Sequence, residues 1–163
     1  MTTKLTFLLA PLALLGTALS LPAAADFSWP TSGTVTSTYG EWRGDHSHKG
    51  VDIANSTGTH VRAARGGTIR LARTLSGYGK VVYVAHSYGY ETRYAHNNSF
   101  YRTSGAVSRG WLLAYMGSTG VSSGPHCHFE ILRYGTAQSI PATTGARVTV
   151  GGDVPKNYPD VHN

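Results

Sequence analysis

From residue 30 onward the hydrophobic and polar positions of this chain alternate with a period of two. The alternating segments are short and rich in Val, Ile, Thr and Tyr, which is typical of half-buried β-strands. No stretch fits a helical repeat over about twelve residues. The predicted strands are Gly33–Tyr39, Gly50–Ala54, Gly67–Arg73, Lys80–His86, Tyr90–His96, Trp111–Met116 and His126–Leu132.

Turn-forming residues separate the predicted strands. Ser76–Gly79, Ser87–Gly89 and Gly117–Gly120 combine Gly and Ser, and the chain contains 20 glycines. Alternating segments joined by short turns predict an all-β, mainly antiparallel fold around one core. From about residue 136 the chain is predicted to form an irregular tail, with one strand-like piece at 146–150. The sequence shows no internal repeat and no second domain.

The first 25 residues have the features of an export signal. Lys4 supplies a positive charge, Leu5–Leu19 form an apolar run, and Ala23–Ala25 offer small residues for cleavage. The run is shorter than the about 20 apolar residues that a membrane span requires. We therefore expect a signal peptide at 1–25, a mature domain at 26–163, and secretion into the periplasm or the medium. A retained N-terminal anchor is the alternative.

The overall charge bears on the expected partners. The formal charge is +6, and it becomes +5 when Lys4 leaves with the signal, because all eight acidic residues remain. A basic protein is attracted to polyanions at long range. Since the protein is expected to be exported and no nucleic-acid recognition element accompanies the charge, we expect anionic cell-wall polymers and not nucleic acid. The single cysteine, Cys127, excludes an internal disulfide.

Three short segments carry the residues best suited to chemistry. His48 and Asp52 are four positions apart, His96 ends a predicted strand, and His126 and His128 form an H-x-H pair. One carboxylate and two imidazoles suit Zn²⁺, and three protein ligands leave a fourth position for water in a hydrolytic site. The two remaining histidines could transfer protons, because imidazole titrates near neutrality. The H-E-x-x-H motif of helix-borne metalloproteases is absent.

Spacing alone does not select the ligands among eight histidines. His46 and His48 form a second H-x-H pair, so His46 could also bind a metal. In the later pair, alternation along a strand directs His126 and His128 to the same face. The residues themselves therefore leave open which histidine of that pair would hold the ion.

The predicted strand His126–Leu132 is polar on one face and apolar on the other, so one face is expected to line a site and the other the core. The polar residues are His126, His128 and Glu130, and the apolar ones are Cys127, Phe129 and Ile131. By the same alternation, His96 is expected to share a face with Tyr90, Thr92 and Tyr94, and to emerge at a rim where its strand ends.

Several stretches occur together in a fixed order. They are Trp29-Pro30, Gly33, Tyr39-Gly40, His48–Ala54, Gly66–Thr68, Gly77–Gly79, Tyr94–His96, Met116–Gly120 and Ser123–Glu130. In this order the chain from Trp29 to Tyr134 resembles the catalytic domain of the lysostaphin/LytM-type zinc endopeptidases, peptidase family M23. The resemblance covers most of the expected mature chain.

The resemblance implies a site, a cofactor and an activity. By position, His48, Asp52 and His128 resemble the zinc ligands, and His96 and His126 resemble the catalytic pair that orients water and transfers protons. One Zn²⁺ per chain is the implied cofactor. The implied fold is a two-layer, mainly antiparallel β structure with a loop-walled groove. The implied reaction is hydrolysis of peptide bonds in bacterial peptidoglycan.

The chain departs from the family's pattern beside two of the histidines. Cys127 stands where the H-x-H motif usually contains leucine, and we expect it to be a small buried hydrophobic residue and not a fourth ligand. Asn97–Tyr101 follow His96 where relatives commonly continue with leucine. That difference affects the expected substrate contacts of this loop and not the chemistry.

A third departure concerns the segment between Tyr39 and His48, which looks shorter than in many relatives. We expect this difference to reshape one wall of the groove. Arg43 lies in the segment, and it is expected to pair with Asp45 or with a carboxylate of the substrate.

The sequence therefore predicts a secreted, monomeric zinc metalloendopeptidase that cuts cross-links or glycine bridges among peptidoglycan peptides. Two alternatives remain. One is a non-catalytic wall-binding or regulatory domain of the same fold, and the other is a secreted protease for glycine-rich proteins. The intact set of five residues favours the enzyme, because regulatory domains of this kind typically lose one or more ligands.

Overall fold

The computed structural model describes residues 27–157, which form an antiparallel β structure with one short 3₁₀ turn at Ser87–Gly89. The predicted signal at 1–25 lies outside the described residues. Within 27–157 no helix has the length and apolar character that a membrane span requires. The strands are β1 (Gly33–Ser37), β2 (Val51–Ala54), β3 (His60–Arg62), β4 (Gly67–Leu75), β5 (Gly79–Ala85), β6 (Tyr90–Phe100), β7 (Gly105–Val107), β8 (Leu112–Met116), β9 (His126–Arg133), β10 (Thr136–Ala137) and β11 (Arg147–Val148).

The observed strands confirm the predicted fold class. Each of the seven segments predicted from alternation contains a strand, and β11 lies inside the strand-like piece at 146–150. The strands that were not predicted are β3, β7 and β10, which have only two or three residues each. So short a segment cannot display a period of two, and its pairing with a neighbouring strand is what defines it.

The sheet places the histidine-bearing strands at its centre. The strand order is β11-β1-β2-β9-β6-β5-β4-β7, and β8 pairs with both β3 and the end of β6. In this arrangement β9 lies between β2 and β6, so Asp52 and Ala95 both stand opposite His128. An isolated bridge between Gly117 and His126 closes the turn after β8 onto the start of β9.

The core lies under the apolar face of β9, as alternation predicts. Cys127, Phe129 and Ile131 are fully buried there, and the rings of Tyr94 and Phe129 pack with centroids 5.5 Å apart. Burial raises the pKa of the Cys127 thiol far above its usual range. The expectation that Cys127 is a buried hydrophobic residue is confirmed, since it lies on the face opposite to His128.

Strand β6 departs from regular alternation at His96. The prediction that His96 shares a face with Tyr94 is wrong, because Tyr94 lies in the core whereas His96 contacts the rings of His126 and His128. His96 has a φ of 60°, in the left-handed region, and the β5–β6 register shifts between Lys80 and Val82. The strand also continues past His96 to Phe100 instead of ending there.

A buried polar chain crosses the core on the side away from these histidines. The hydroxyl of Tyr94 accepts a hydrogen bond from the amide of Ala64 at 2.9 Å and lies 2.7 Å from Thr92 Oγ1. His86 extends the chain, with Nε2 2.8 Å from Thr92 Oγ1 and Nδ1 2.9 Å from the Gly66 carbonyl. Burial lowers the pKa of His86 to about 4, so this imidazole is neutral in the folded protein.

His86 should make stability depend on pH. The unfolded chain takes up a proton near pH 6.5 whereas the folded chain does so near pH 4, so the free energy of unfolding should fall as the pH drops between these values. The expected loss is about 3 kcal/mol at pH 4, since one pKa unit corresponds to about 1.4 kcal/mol. Urea unfolding of wild type and His86→Asn from pH 4 to pH 7 measures this difference.

The exposed residue His46 supplies the control for that measurement. His46→Asn should retain the wild-type pH dependence, because its imidazole is largely exposed. Equal slopes in wild type and His86→Asn would contradict the assignment of His86 as a partly buried, neutral histidine.

Candidate metal centre

Three side chains converge at one point. Asp52 lies on β2, His128 lies on β9, and His48 lies in the segment just before β2. His48 Nε2 lies 3.1 Å from Asp52 Oδ1 and 2.9 Å from His128 Nδ1, and His128 Nδ1 lies 2.8 Å from Asp52 Oδ1. The three residues are buried. The pairing of Asp52 with His128 across β2 and β9 brings two of them together, and the four-residue step from His48 brings the third.

The three atoms have the chemistry and spacing of a zinc ligand set. Two imidazole nitrogens and one carboxylate oxygen are the donors that zinc takes in hydrolytic sites. Ligands about 2.0 Å from a tetrahedral ion stand roughly 3.3 Å from one another, and the measured separations of 2.8–3.1 Å are close to this value. His48, Asp52 and His128 therefore fit a divalent ion with one coordination position left over.

Further contacts orient both imidazoles. His48 Nδ1 is 2.8 Å from the carbonyl of Thr38, so it carries the proton and leaves Nε2 as a lone-pair donor. His128 Nε2 is 2.9 Å from Glu130 Oε1, which leaves Nδ1 to face Asp52. Hydrogen bonds of this type set the tautomer of a metal-binding histidine and raise its basicity.

Glu130 is itself held in a buried network. Its side chain accepts a hydrogen bond from the Tyr78 hydroxyl at 2.8 Å and pairs with Arg93 Nη1 at 3.3 Å. Burial alone would raise the pKa of Glu130, but the contacts with His128, Tyr78 and Arg93 lower it. The carboxylate is therefore ionised, and sequence alternation had indicated only that Glu130 shares a face with His128. The roles of Tyr78 and Arg93 carried no sequence signal.

The two charged partners of His128 act on its protonation. Burial alone would lower the pKa of His128, but the hydrogen bonds to Asp52 and Glu130 raise it to about 9. Burial likewise opposes ionisation of Asp52, and the contacts with His128 and His48 hold the pKa of that carboxyl well below its usual range. The centre thus combines ionised carboxylates with imidazoles, which is an environment that stabilises a cation.

Arg43 contacts the second oxygen of Asp52. Its Nη2 lies 2.8 Å from Asp52 Oδ2 and 2.6 Å from Ser37 Oγ, so Oδ1 is the oxygen that faces the histidines. The expected pair of Arg43 with Asp45 does not form, because Asp45 contacts His46 instead. Only the tertiary structure brings Arg43 to Asp52, since the chain must reverse direction between them.

His96 and His126 lie beside the three converging residues, and in both of them Nε2 is the nitrogen left free. His96 Nδ1 is 2.8 Å from the carbonyl of Thr119, and His126 Nδ1 is 2.8 Å from the carbonyl of Gly124. A carbonyl only accepts, so each Nδ1 carries a proton and each Nε2 is free to accept one. The two rings are 4.6 Å apart, and His126 Nε2 is 3.7 Å from Asp52 Oδ1.

Asn97 and Thr119 hold the irregular backbone around His96. Asn97 is fully buried, and its Nδ2 donates to the carbonyls of Tyr94 and Lys80 at 2.7 and 2.9 Å. Thr119 Oγ1 donates to the Asn97 carbonyl at 2.7 Å. Asn97 therefore supports the backbone and does not face a substrate. Its departure from the family pattern thus affects the backbone at His96 and not a substrate contact.

A cleft of about 1080 Å³ opens over these histidines. One wall is a hairpin closed by hydrogen bonds from Gly40 to His48 and from His48 to Glu41, both at 2.8 Å. The other walls contain Ser76–Tyr78, which belong to a turn that the sequence predicted, and Val121–Ser123, which follow the predicted turn at Gly117–Gly120. His46 lines the hairpin wall in contact with Asp45, and it is not among the three converging residues.

Comparison with known proteins gives consistent results. Residues 46–141 match the model of peptidase family M23. The chain is 43% identical over 83 residues to the DD-carboxypeptidase/endopeptidase Mpg of Neisseria meningitidis serogroup B, a match that covers 51% of this chain and 19% of that protein. It is 41% identical over 105 residues to the murein hydrolase activator NlpD of Escherichia coli K12, covering 63% and 27%.

The fold is also similar to that of a solved zinc-containing peptidase from Vibrio cholerae. The TM-score is 0.65 at 25% identity, and the match covers 73% of this chain and 40% of that one. The chain thus spans well under half of the length of each of these proteins. The residues matched by the family model include His48, Asp52 and His128.

Glu130 should contribute to metal affinity although it does not reach the ligand triangle. Glu130→Gln retains the side-chain shape but removes the charge beside His128, so the affinity for zinc should fall about 10- to 100-fold. Competition with a chromogenic chelator measures the dissociation constant.

A second glutamate provides a matched control. Glu91 also pairs with Arg93 but does not contact His128, so Glu91→Gln should bind zinc as the wild type does. Equal losses of affinity in both variants would show that Arg93, and not the contact of Glu130 with His128, is responsible.

Proposed function

The chain belongs to peptidase family M23, and on this premise we propose that it is a secreted zinc metalloendopeptidase that hydrolyses peptide bonds in bacterial peptidoglycan. The observation that carries the proposal is the complete set of five residues around one cleft. His48, Asp52 and His128 would hold one Zn²⁺, and His96 and His126 would be the catalytic pair. Bound zinc would supply a Lewis acid that polarises the scissile carbonyl and acidifies a water molecule.

The remaining chemistry can be assigned to the protein's own side chains. His96 and His126 each carry a proton on Nδ1 and present an unprotonated Nε2, so either can accept a proton from the attacking water. Burial, with the neighbouring His126 and His128, lowers the pKa of His96 to about 4, which keeps it neutral and able to act as a base. The protonated imidazole can then donate to the leaving amine, and the other ring can hydrogen bond to the developing oxyanion.

The cleft suits a flexible peptide better than a folded protein segment. Its volume of about 1080 Å³ lies at the upper end of the range for small-molecule sites. The walls away from the hairpin contain glycine and serine, the hairpin wall carries charged side chains, and the floor contains the histidines and Glu130. An extended peptide bound along such a groove would place one amide beside the catalytic pair. This arrangement supports cross-link or glycine-bridge peptides as substrates.

A second candidate function follows from the similarity to a murein hydrolase activator. The match with NlpD covers more of this chain than the match with Mpg does, which favours a regulatory role. A regulatory role requires neither metal ligands nor oriented general bases. The buried carboxylate of Glu130 and the carbonyls that orient His96 and His126 would then serve no purpose, so the enzyme remains the better-supported proposal.

Substitutions should separate zinc binding from catalysis. His96→Ala should retain one zinc ion per chain but clear purified cell walls about 10²- to 10⁴-fold more slowly, because it removes a general base. Asp52→Ala should lose both zinc and activity, since it removes an anionic ligand. Elemental analysis of the purified protein and the loss of turbidity of cell walls measure the two properties.

His46 provides the control, because it belongs to the other H-x-H pair and lines the same cleft. His46→Ala should retain zinc and most of the activity. Full activity of the zinc-free protein would exclude the proposed chemistry. An inactive wild type that stimulates a separate wall hydrolase would establish the regulatory function instead.

The products identify the substrate. Mass spectrometry of fragments released from walls of defined cross-link chemistry would locate the cleaved bond, and parallel digestion of a glycine-rich protein would test the broader protease. Sedimentation of the wild type would test the expected monomer.

A further inference from the structure

A surface cluster of aromatic rings and arginines lies outside the cleft. We call it the aromatic–arginine patch, and its members come from β3, from the residues that directly follow β6, and from β8 and the residue before it. Tyr101 and Trp111 are 55% and 45% exposed. The patch consists of His60, Arg62, Tyr101, Arg102, Trp111 and Tyr115.

The side chains of the patch form one continuous series of contacts. The Tyr101 and Tyr115 rings are 6.3 Å apart, and Tyr115 also contacts His60 at 5.6 Å. The Arg102 guanidinium lies 5.5 Å from the Tyr101 ring and 4.8 Å from the Trp111 ring. Backbone hydrogen bonds from Tyr101 and Arg102 to the Leu113 carbonyl attach this segment to β8. The rings are therefore fixed in place, although they face solvent.

The two arginines of the patch have no carboxylate partner within residues 27–157. Arg43, Arg70, Arg93 and Arg109 each pair with an acidic side chain. In contrast, Arg62 contacts the Gly110 carbonyl and His60, and Arg102 contacts aromatic rings and has a buried Nε without a hydrogen-bond partner. The patch thus presents uncompensated positive charge together with flat apolar faces.

The patch begins where the strand that carries His96 ends, because Tyr101 and Arg102 directly follow β6. The chain reaches Tyr101 five residues after His96, which is no more than roughly 17 Å at about 3.3 Å per strand residue. A ligand that occupies only the cleft would leave the patch free, whereas a polymer long enough to cover this distance would contact both surfaces. Two contacts on one polymer raise the apparent affinity through effective concentration.

We propose that the aromatic–arginine patch is a second, non-catalytic binding surface for the disaccharide-peptide units of peptidoglycan. Sugar rings would stack on Tyr101 and Trp111, and carboxylates of the attached peptides would pair with Arg62 and Arg102. Exposed aromatic clusters of this kind commonly mark binding surfaces, and charge complementarity selects an anionic partner. The identity of the polymer rests on the proposed function.

Binding to intact walls tests this proposal. The full chain carrying His96→Ala, which leaves walls undigested, is sedimented with purified peptidoglycan. Adding Tyr101→Ala with Trp111→Ala, or Arg102→Gln alone, should raise the dissociation constant about tenfold. Tyr134→Ala, which removes a 76% exposed tyrosine elsewhere, should leave binding unchanged. Thermal unfolding of each variant establishes that it is folded.

Competition identifies the ligand. Soluble disaccharide-peptide fragments should displace the protein from walls at a concentration about tenfold lower than stem peptides without sugar require. Introduced instead into the otherwise wild-type chain, with His96 intact, the patch substitutions should leave kcat and KM for a short synthetic peptide unchanged. Unchanged wall binding by both patch variants, or displacement by the stem peptide at the same concentration, would overturn the proposal.

The outcome is separable from that of the proposed function. If the wild type cleaves no peptide but the patch variants lose wall binding, the patch proposal is supported and the peptidase proposal is refuted. If the wild type cleaves walls but the patch variants bind walls normally, the peptidase proposal is supported and the patch proposal is refuted.

Discussion

The antiparallel pairing of β2 with β9 is the interaction on which the site depends. Asp52 and His128 are 76 positions apart in the chain, yet they are direct register partners. A shift of one residue would turn His128 toward the core and Cys127 toward Asp52, because alternate side chains point to opposite faces. The apolar face of β9, with Phe129 and Ile131 fully buried, prevents that shift. Core packing therefore sets the register, and the register assembles the site.

Buried charge is the second constraint on the centre. Asp52 and Glu130 are ionised in a region with little solvent, a state that is stable only where cations or hydrogen-bond donors surround them. Arg43 and Arg93 supply part of this compensation on the outer side, and the imidazole of His128 lies between the two carboxylates. A divalent ion would supply the remainder at the inner side. The burial of these two carboxylates is unfavourable by itself, and binding of a cation beside them would offset it.

The third feature is the irregular backbone at His96. A regular strand would have buried this imidazole beside Tyr94, far from His126. The left-handed conformation of His96 and the register shift on β5 redirect it to the cleft, and buried Asn97 stabilises the distortion. Left-handed non-glycine residues cost about 1–2 kcal/mol. Such local strain is common at functional sites, where the surrounding structure compensates for it.

The sequence by itself determined the fold class and most of the strands, and its resemblance to a family indicated which residues to expect at the site. Alternation is a local property and can be recognised in the sequence. It correctly placed Cys127 and His128 on opposite faces of their strand. The tertiary structure alone decided which imidazoles meet Asp52, where Arg43 binds and which way His96 points. These outcomes depend on register, on contacts between distant segments and on one distorted residue, and none of these is encoded in the spacing of side chains along a strand.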